Sequence, residues 1–321
     1  MIRYIIKRVM SAIPLLFGLL TFTFFIIRLA PGDPMSLYIQ ADVDPMYAEN
    51  LRNTLGLNDA LPLQYVKWVK GMLTGELGMS FSKHADVSRI IADTIPNTLL
   101  LTVFALFFNF LIGIALGVTT ALKRGSATDH IVNVSSLFVY SMPEFWLGLM
   151  LILGVSLQLD LLPASGMHSP LAKYLSFPEY VWDVLQHMVL PVFVLGVASA
   201  AATGRYMRGS LLEVVNQDYV RTARAKGLSE FLVIGKHALR NALIPIITLL
   251  GLSLPFLLGG AVIVETVFAW PGMGKLTVDA IFARDYPLII ACTLVSGVMV
   301  IAGNLLADIL YAIVDPRIRY D

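Results

Sequence analysis

An acid inside a run of apolar residues is the first group in this chain that could do chemistry. Glu144 follows Ser141-Met142-Pro143 within the apolar stretch Ile131–Leu157. A carboxylate at membrane depth is costly, and it is retained where it lines a path for cations or meets a partner. The adjacent proline kinks the helix and frees backbone groups, so pairing at the kink is the alternative role. The second feature is a basic segment from Asp218 to Pro245, DYVRTARAKGLSEFLVIGKHALRNALIP. Arg221, Arg224, Lys226, Lys236 and Arg240 lie in it, between apolar runs at about Met188–Tyr206 and Leu243–Val264. Such a segment either docks on a partner or only fixes membrane topology. The chain has no GxxxxGK[ST] phosphate loop and no HExxH, and no Ser/His/Asp set stands out. Neither catalysis nor nucleotide, metal or other cofactor binding is therefore expected. Cys292, the single cysteine, has no disulfide partner and sits in an apolar run, where packing is its expected role.

The elements that must carry these residues are membrane spans. The chain is 57% hydrophobic and 14% charged, against about 25% charged in a soluble domain. A net charge of +1 argues against nucleic-acid binding. Apolar runs at about Val9–Ile27, Pro96–Leu122, Ile131–Leu157, Met188–Tyr206, Leu243–Val264 and Leu288–Val314 predict an all-α integral membrane protein with six spans. Lys123 and Arg124 fall in the first inner loop, and the second holds Arg205, Arg208 and the basic cluster, whereas Lys173 is the only basic residue of the second outer loop. That asymmetry puts both termini in the cytoplasm. Residues 35–94 are expected to form a small outer helical cap, with Leu61–Leu73 its best amphipathic helix, acting either as a lid or as a docking surface. Gly113 and Gly117 have the spacing that lets membrane helices pack closely. The prolines of Pro31-Gly32-Asp33-Pro34 end the first helix. His168 and His187 read as residues of the outer loop 158–187, and Glu265 to Gly274 reads as an interfacial turn.

Within the basic segment, Val220, Ala223 and Gly227 fall on one helical face, with Arg221 and Arg224 beside them. Gly227 should end this short helix, and a second should begin at Phe231–Ile234.

Arg221-Thr222-Ala223 followed by Gly227 resembles the "EAA…G" loop of binding-protein-dependent ABC importer permeases. Arg221 and Thr222 stand where that loop has Glu and its first Ala, and His237-Ala238-Leu239-Arg240 stands in place of Ile-x-Leu-Pro. The variant RTARAKG…HALRNA, together with PGDP, ETVF-x-WPG-x-G, Arg284-Asp285-Tyr286-Pro287 and the DPRIR end, resembles the first permease subunit of the peptide and nickel branch. The resemblance implies a type I importer permease fold, with a first helix and cap over 1–94 and a five-helix core over 95–321. It implies a cytoplasmic coupling loop at about 207–242, in which Asp218, Tyr219, Arg221, Thr222, Ala223, Arg224 and Gly227 meet an ATPase subunit. The implied partners are a second, similar permease, two cytoplasmic ATP-binding subunits, an external substrate-binding protein and the bilayer of a bacterial inner membrane. Function by alternating access on di- or oligopeptides follows, with Glu144 facing a peptide amino group. Nickel chelates, glutathione and other small solutes also travel through this branch. A stand-alone secondary transporter is the rival class, and it would need coupling charges or inverted repeats that the sequence does not display.

Overall fold

The computed structural model describes residues 2–29, 46, 58–259 and 261–314. The PGDP and DPRIR motifs lie outside them. Among the described residues there is no strand, and the architecture is helical throughout. Helix α1 (Ile2–Leu29) leads to α2 (Leu61–Thr74), the amphipathic helix expected in the cap. Helix α3 (Val87–Leu122) has no charged residue after Asp93. Helix α4 (Ala127–Tyr140) is followed, after a 99° bend, by α5 (Glu144–Leu151) and a π-helical continuation, Ile152–Gln158. Helix α6 (Phe177–Val192) runs through a π-helical turn, Phe193–Val197, into α7 (Ala198–Val215). The basic segment holds α8 (Asp218–Ala225), α9 (Glu230–Leu232), a π-helical stretch Val233–Ala238 and α10 (Leu239–Ala242). Helices α11 (Ile244–Gly259), α12 (Val262–Val267), α13 (Met273–Phe282) and α14 (Tyr286–Val314) complete the order.

Among the described residues, four helices can cross a membrane by length and composition, or up to six if each of two bent pairs is one span. The bends are the 99° break before α5 and a 44° break before α11. The first has the cause expected for it: Pro143 denies an N–H to the preceding turn and restricts Met142.

Two elements extend beyond the expected spans. Helix α3 starts at Val87 because Asp86 caps it, accepting from the N–H groups of Ser88 at 2.8 Å and Arg89 at 3.3 Å. Helix α6 starts at Phe177, inside the segment expected to be an outer loop. A reciprocal cap starts it: Glu179 Oε2 accepts from Ser176 N–H at 2.9 Å and Oγ at 2.7 Å. His187 is therefore a helix residue, buried, with Nδ1 2.7 Å from the carbonyl of Asp183.

The long pair α3 and α7, with the π-helical turn before α7, forms the spine of the molecule. Glycine sets its closeness. A Cβ on Gly113 would lie 2.6 Å from Thr203 Cβ, and one on Gly117 would lie 2.6 Å from the carbonyl oxygen of Gly204. A Cβ on Gly196 would run into the carbonyl of Ala105. Small residues at a helix contact are how membrane helices gain packing energy where lipid is as apolar as leucine. Gly196→Ala should therefore lower stability by about 1–3 kcal/mol through overpacking. Gly209→Ala, on the same helix with open space around it, should be neutral or slightly stabilising. Thermal unfolding of the purified protein in detergent compares the two.

Candidate functional site: a basic amphipathic helix, a cavity and a buried fastening

Helix α8 is amphipathic in a particular sense: its apolar side is already used. Val220 and Ala223, three residues apart, are buried against Met207, Leu211, Val233, Ala238, Ala242 and Ile246. The face expected from the sequence is present, and it points into the chain's own core. Tyr219 Oη accepts from Asn241 Nδ2 at 2.8 Å, tying α8 to α10. Gly227 has φ +78°, so it stands at the left-handed position that ends a helix. Its N–H donates to the Arg224 carbonyl at 2.9 Å. A Cβ there would meet nothing within 4 Å, so the turn, and not crowding within the chain, is what asks for glycine.

The outward face carries Asp218, Tyr219, Arg221, Thr222 and Arg224, all exposed. Two of the cations have partners within the chain. Arg224 Nε donates to Glu230 Oε1 at 2.8 Å, and Arg221 Nη1 lies 3.6 Å from Asp218 Oδ1. Exposed pairs of this kind contribute about 0–1 kcal/mol, so both can be exchanged for partner contacts. Sequence reasoning missed Phe231, which is 87% exposed on α9 beside this face. Its signal was an aromatic residue in a polar segment, four residues after the glycine stop.

Glu144 stands apart from α8. It is exposed and lines a cavity of about 520 Å³ with Asn109, Ser199, Ser253, Leu195 and Ile263. The bend before α5 carries it there.

At the opposite end of α3 is a fastening that was read only as an interfacial turn. Glu265 is fully buried. Its Oε2 accepts from the N–H groups of Gly274 at 2.7 Å and Lys275 at 3.0 Å, the first turn of α13. Its Oε1 accepts from Thr98 Oγ1 at 3.0 Å, and Thr98 Oγ1 accepts from Met273 N–H at 2.7 Å. A carboxylate at a helix N-terminus meets both free N–H groups and the favourable end of the dipole. Gly272 is required, since a Cβ there would lie 2.5 Å from the Glu265 carboxyl. Trp270 Nε1 donates to Asn97 O at 2.9 Å, and Asn97 Nδ2 donates to Pro271 O at 3.0 Å. A second buried acid, Asp285, accepts from Ser80 Oγ at 2.6 Å and from Ser82 N–H and Oγ at 2.9 and 2.7 Å. It joins the segment before α3 to the start of α14. A third, Asp129, accepts from Arg208 Nη2 at 2.9 Å, Gly125 N–H at 3.0 Å and Asn133 Nδ2 at 2.6 Å, linking α4 to α7 near α8.

A helical membrane protein built on a glycine spine, with a basic amphipathic helix anchored at one end, matches a known family along its length. The chain belongs to the binding-protein-dependent transport system inner membrane components: residues 113–320 match that family, and residues 1–102 match its N-terminal component. It is 44% identical to the oligopeptide transport system permease protein AppB of Bacillus subtilis (strain 168), with both chains fully covered. It is 39% identical to the dipeptide transport system permease protein DppB of Escherichia coli (strain K12), covering 100% of this chain and 99% of that one. Identity to the di/tripeptide permease DppB of Pseudomonas aeruginosa (strain UCBPP-PA14) is 42%, again over 100% and 99%. A chain of the MetNI methionine ABC transporter, solved in inward-facing conformations, superposes with a TM-score of 0.55 at 20% identity. That match covers 72% of this chain and 98% of the other, and it shows a shared fold.

The fastening at Glu265 should behave as one unit. Glu265→Gln turns an acceptor into a donor facing N–H groups and should cost about 2–3 kcal/mol. Thr98→Val should cost about 1–2 kcal/mol. Because the two share partners, the double variant should lose less than the sum, a coupling of about 1 kcal/mol in a thermal-stability double-mutant cycle.

Proposed function

We propose that this chain is one of two homologous permease subunits of an ATP-driven importer for di- or oligopeptides. It crosses a bacterial inner membrane six times with both termini in the cytoplasm, and each bent pair counts as one span. Residues 1–94 form a first helix with an extracytoplasmic cap, and residues 95–321 form the five-helix core. ATP hydrolysis belongs to two cytoplasmic subunits, and capture of substrate belongs to an external binding protein. The substrate class is supported by the names of the full-length relatives. The observation that carries the coupling role is the division of α8: Val220 and Ala223 are locked into the core while Asp218, Tyr219, Arg221 and Thr222 face outward. A helix held so firmly from behind passes a displacement of its outer face to the spans and does not absorb it.

In this mechanism α8 sits in a cleft of one ATPase subunit, with Phe231 as an apolar anchor and Arg221 and Arg224 reaching acidic or carbonyl groups of the partner. Closure of the ATPase pair on ATP moves α8, the spans tilt toward an outward-open path, and hydrolysis returns them. Gly227 keeps the turn that aims α8.

Gly227→Val forces a β-branched residue into a left-handed turn, a strain of about 1–2 kcal/mol or more. Asn tolerates that conformation. Peptide uptake in proteoliposomes containing all subunits should fall severalfold in Gly227→Val and stay near wild type in Gly227→Asn, with membrane insertion normal in both. Normal uptake in the valine variant would count against the lever. Equal loss in both variants would mean that the partner's backbone, and not the turn, demands glycine.

A further inference from the structure

The cavity that holds Glu144 has an internal chemistry of its own. It is bounded by α3, α5, the α6–α7 helix, α11 and α12, and its volume of about 520 Å³ falls within the roughly 300–1,000 Å³ typical of small-ligand sites. Among the described residues of its lining, Glu144 is the only ionisable side chain. Among the described residues no hydrogen bond or ion pair engages that carboxylate. On the facing side of α3, Asn109 is oriented: its Oδ1 accepts from Thr203 Oγ1 at 2.6 Å. The amide NH2 of Asn109 is thereby left without a partner among the described residues. The cavity thus offers one charged acceptor and one fixed neutral donor, with Ser199 and Ser253 between apolar walls. A free anion finds no cation here. A bare divalent metal finds a single carboxylate, and no group of three or more His, Cys, Asp or Glu suited to metal occurs among the described residues. What fits is an ammonium next to a carbonyl.

We propose that this cavity is a two-point transit site for the amino end of a peptide, Glu144 taking the α-ammonium and Asn109 donating to the first peptide carbonyl. The proposal rests on the peptide-importer reading and adds where the passing substrate is held. A dehydrated ammonium at membrane depth needs a compensating charge. Two contacts, with no second charge, keep the hold weak enough for release, as a path requires.

The test is ATP-dependent uptake of a labelled dipeptide by the full complex in proteoliposomes, expressed per ATP hydrolysed, with co-purification of all subunits as the check on assembly. E144Q should lower this ratio about tenfold, the scale of a charge-assisted hydrogen bond. E144D, which keeps the charge, should recover most of it, and N109L should lower it by about threefold. A ratio for E144Q within about twofold of wild type, or E144D as impaired as E144Q, overturns the site. If E144Q does not assemble, E144D and N109L decide on the same criteria. A wild-type complex with no ATP-dependent peptide uptake would instead overturn the importer reading, which separates the two failures.

Discussion

The close approach of α3 and α7 is the constraint on which the other features depend. Gly113, Gly117 and Gly196 let backbone meet backbone, and none of these contacts has room for even a methyl group. A contact that tight has one geometry, since packed interiors resist partial deformation. Helix α3 then serves as a ruler. Its first half holds Thr98 against Glu265, its middle presents Asn109 to the cavity, and Phe110 and Ala121 in its second half pack into the cluster that seats α8. Three regions far apart in sequence are set in register by one helix.

This arrangement says where such a molecule can yield. The glycine contact cannot give, and the buried carboxylates at Glu265, Asp285 and Asp129 fasten neighbouring helices to it. Compliance is left to the interruptions of regular helix: the bend at Ser141–Pro143 and the π-helical segments Ile152–Gln158, Phe193–Val197 and Val233–Ala238. Such interruptions replace the usual backbone ladder and are the ordinary sites of kinks. Two of them adjoin the candidate sites. The bend places Glu144 at the cavity, and Val233–Ala238 backs α8. In the proposed importer, a push on α8 therefore reaches α7 directly, and any change in shape is taken up at these breaks.

The sequence made the local features legible and the long-range ones opaque. The Gly113–Gly117 spacing, the Pro143 kink and the Gly227 stop are encoded within a few residues, and each appears as read. The start of α6 was also written locally: Ser176 followed by Glu179 is a capping pair, yet the Pro, Ser and aromatic residues of 158–187 suggested a loop. The polar side chains Asp183 and His187 of this helix are satisfied within it and by the segment before it. His187 meets the Asp183 carbonyl, and Asp183 accepts from Ser169 N–H at 2.7 Å. The inward aim of Val220 and Ala223 could not be read, because periodicity gives a face and not what covers it. The role of Glu265 was hidden for another reason. Its partner Thr98 is 167 residues away, and no spacing rule links them.

Acids in the apolar parts of this chain separate into two kinds by how their oxygens are met. Glu265 and Asp285 are fully buried and surrounded by donors: backbone N–H groups at helix starts and hydroxyls from neighbouring segments. A carboxylate so enclosed has its desolvation offset locally, and removing it would leave donors unpaired. It is a fixed part of the frame, closed to any passing solute. Glu144 is the converse: exposed, with no donor among the described residues and open space in front of it. Nothing in the frame is satisfied by its charge, so the frame supplies no reason for an acid there. Composition alone would rank all of these acids as equal oddities in a membrane protein. The count of donors around each one distinguishes a structural acid from one left available to a substrate.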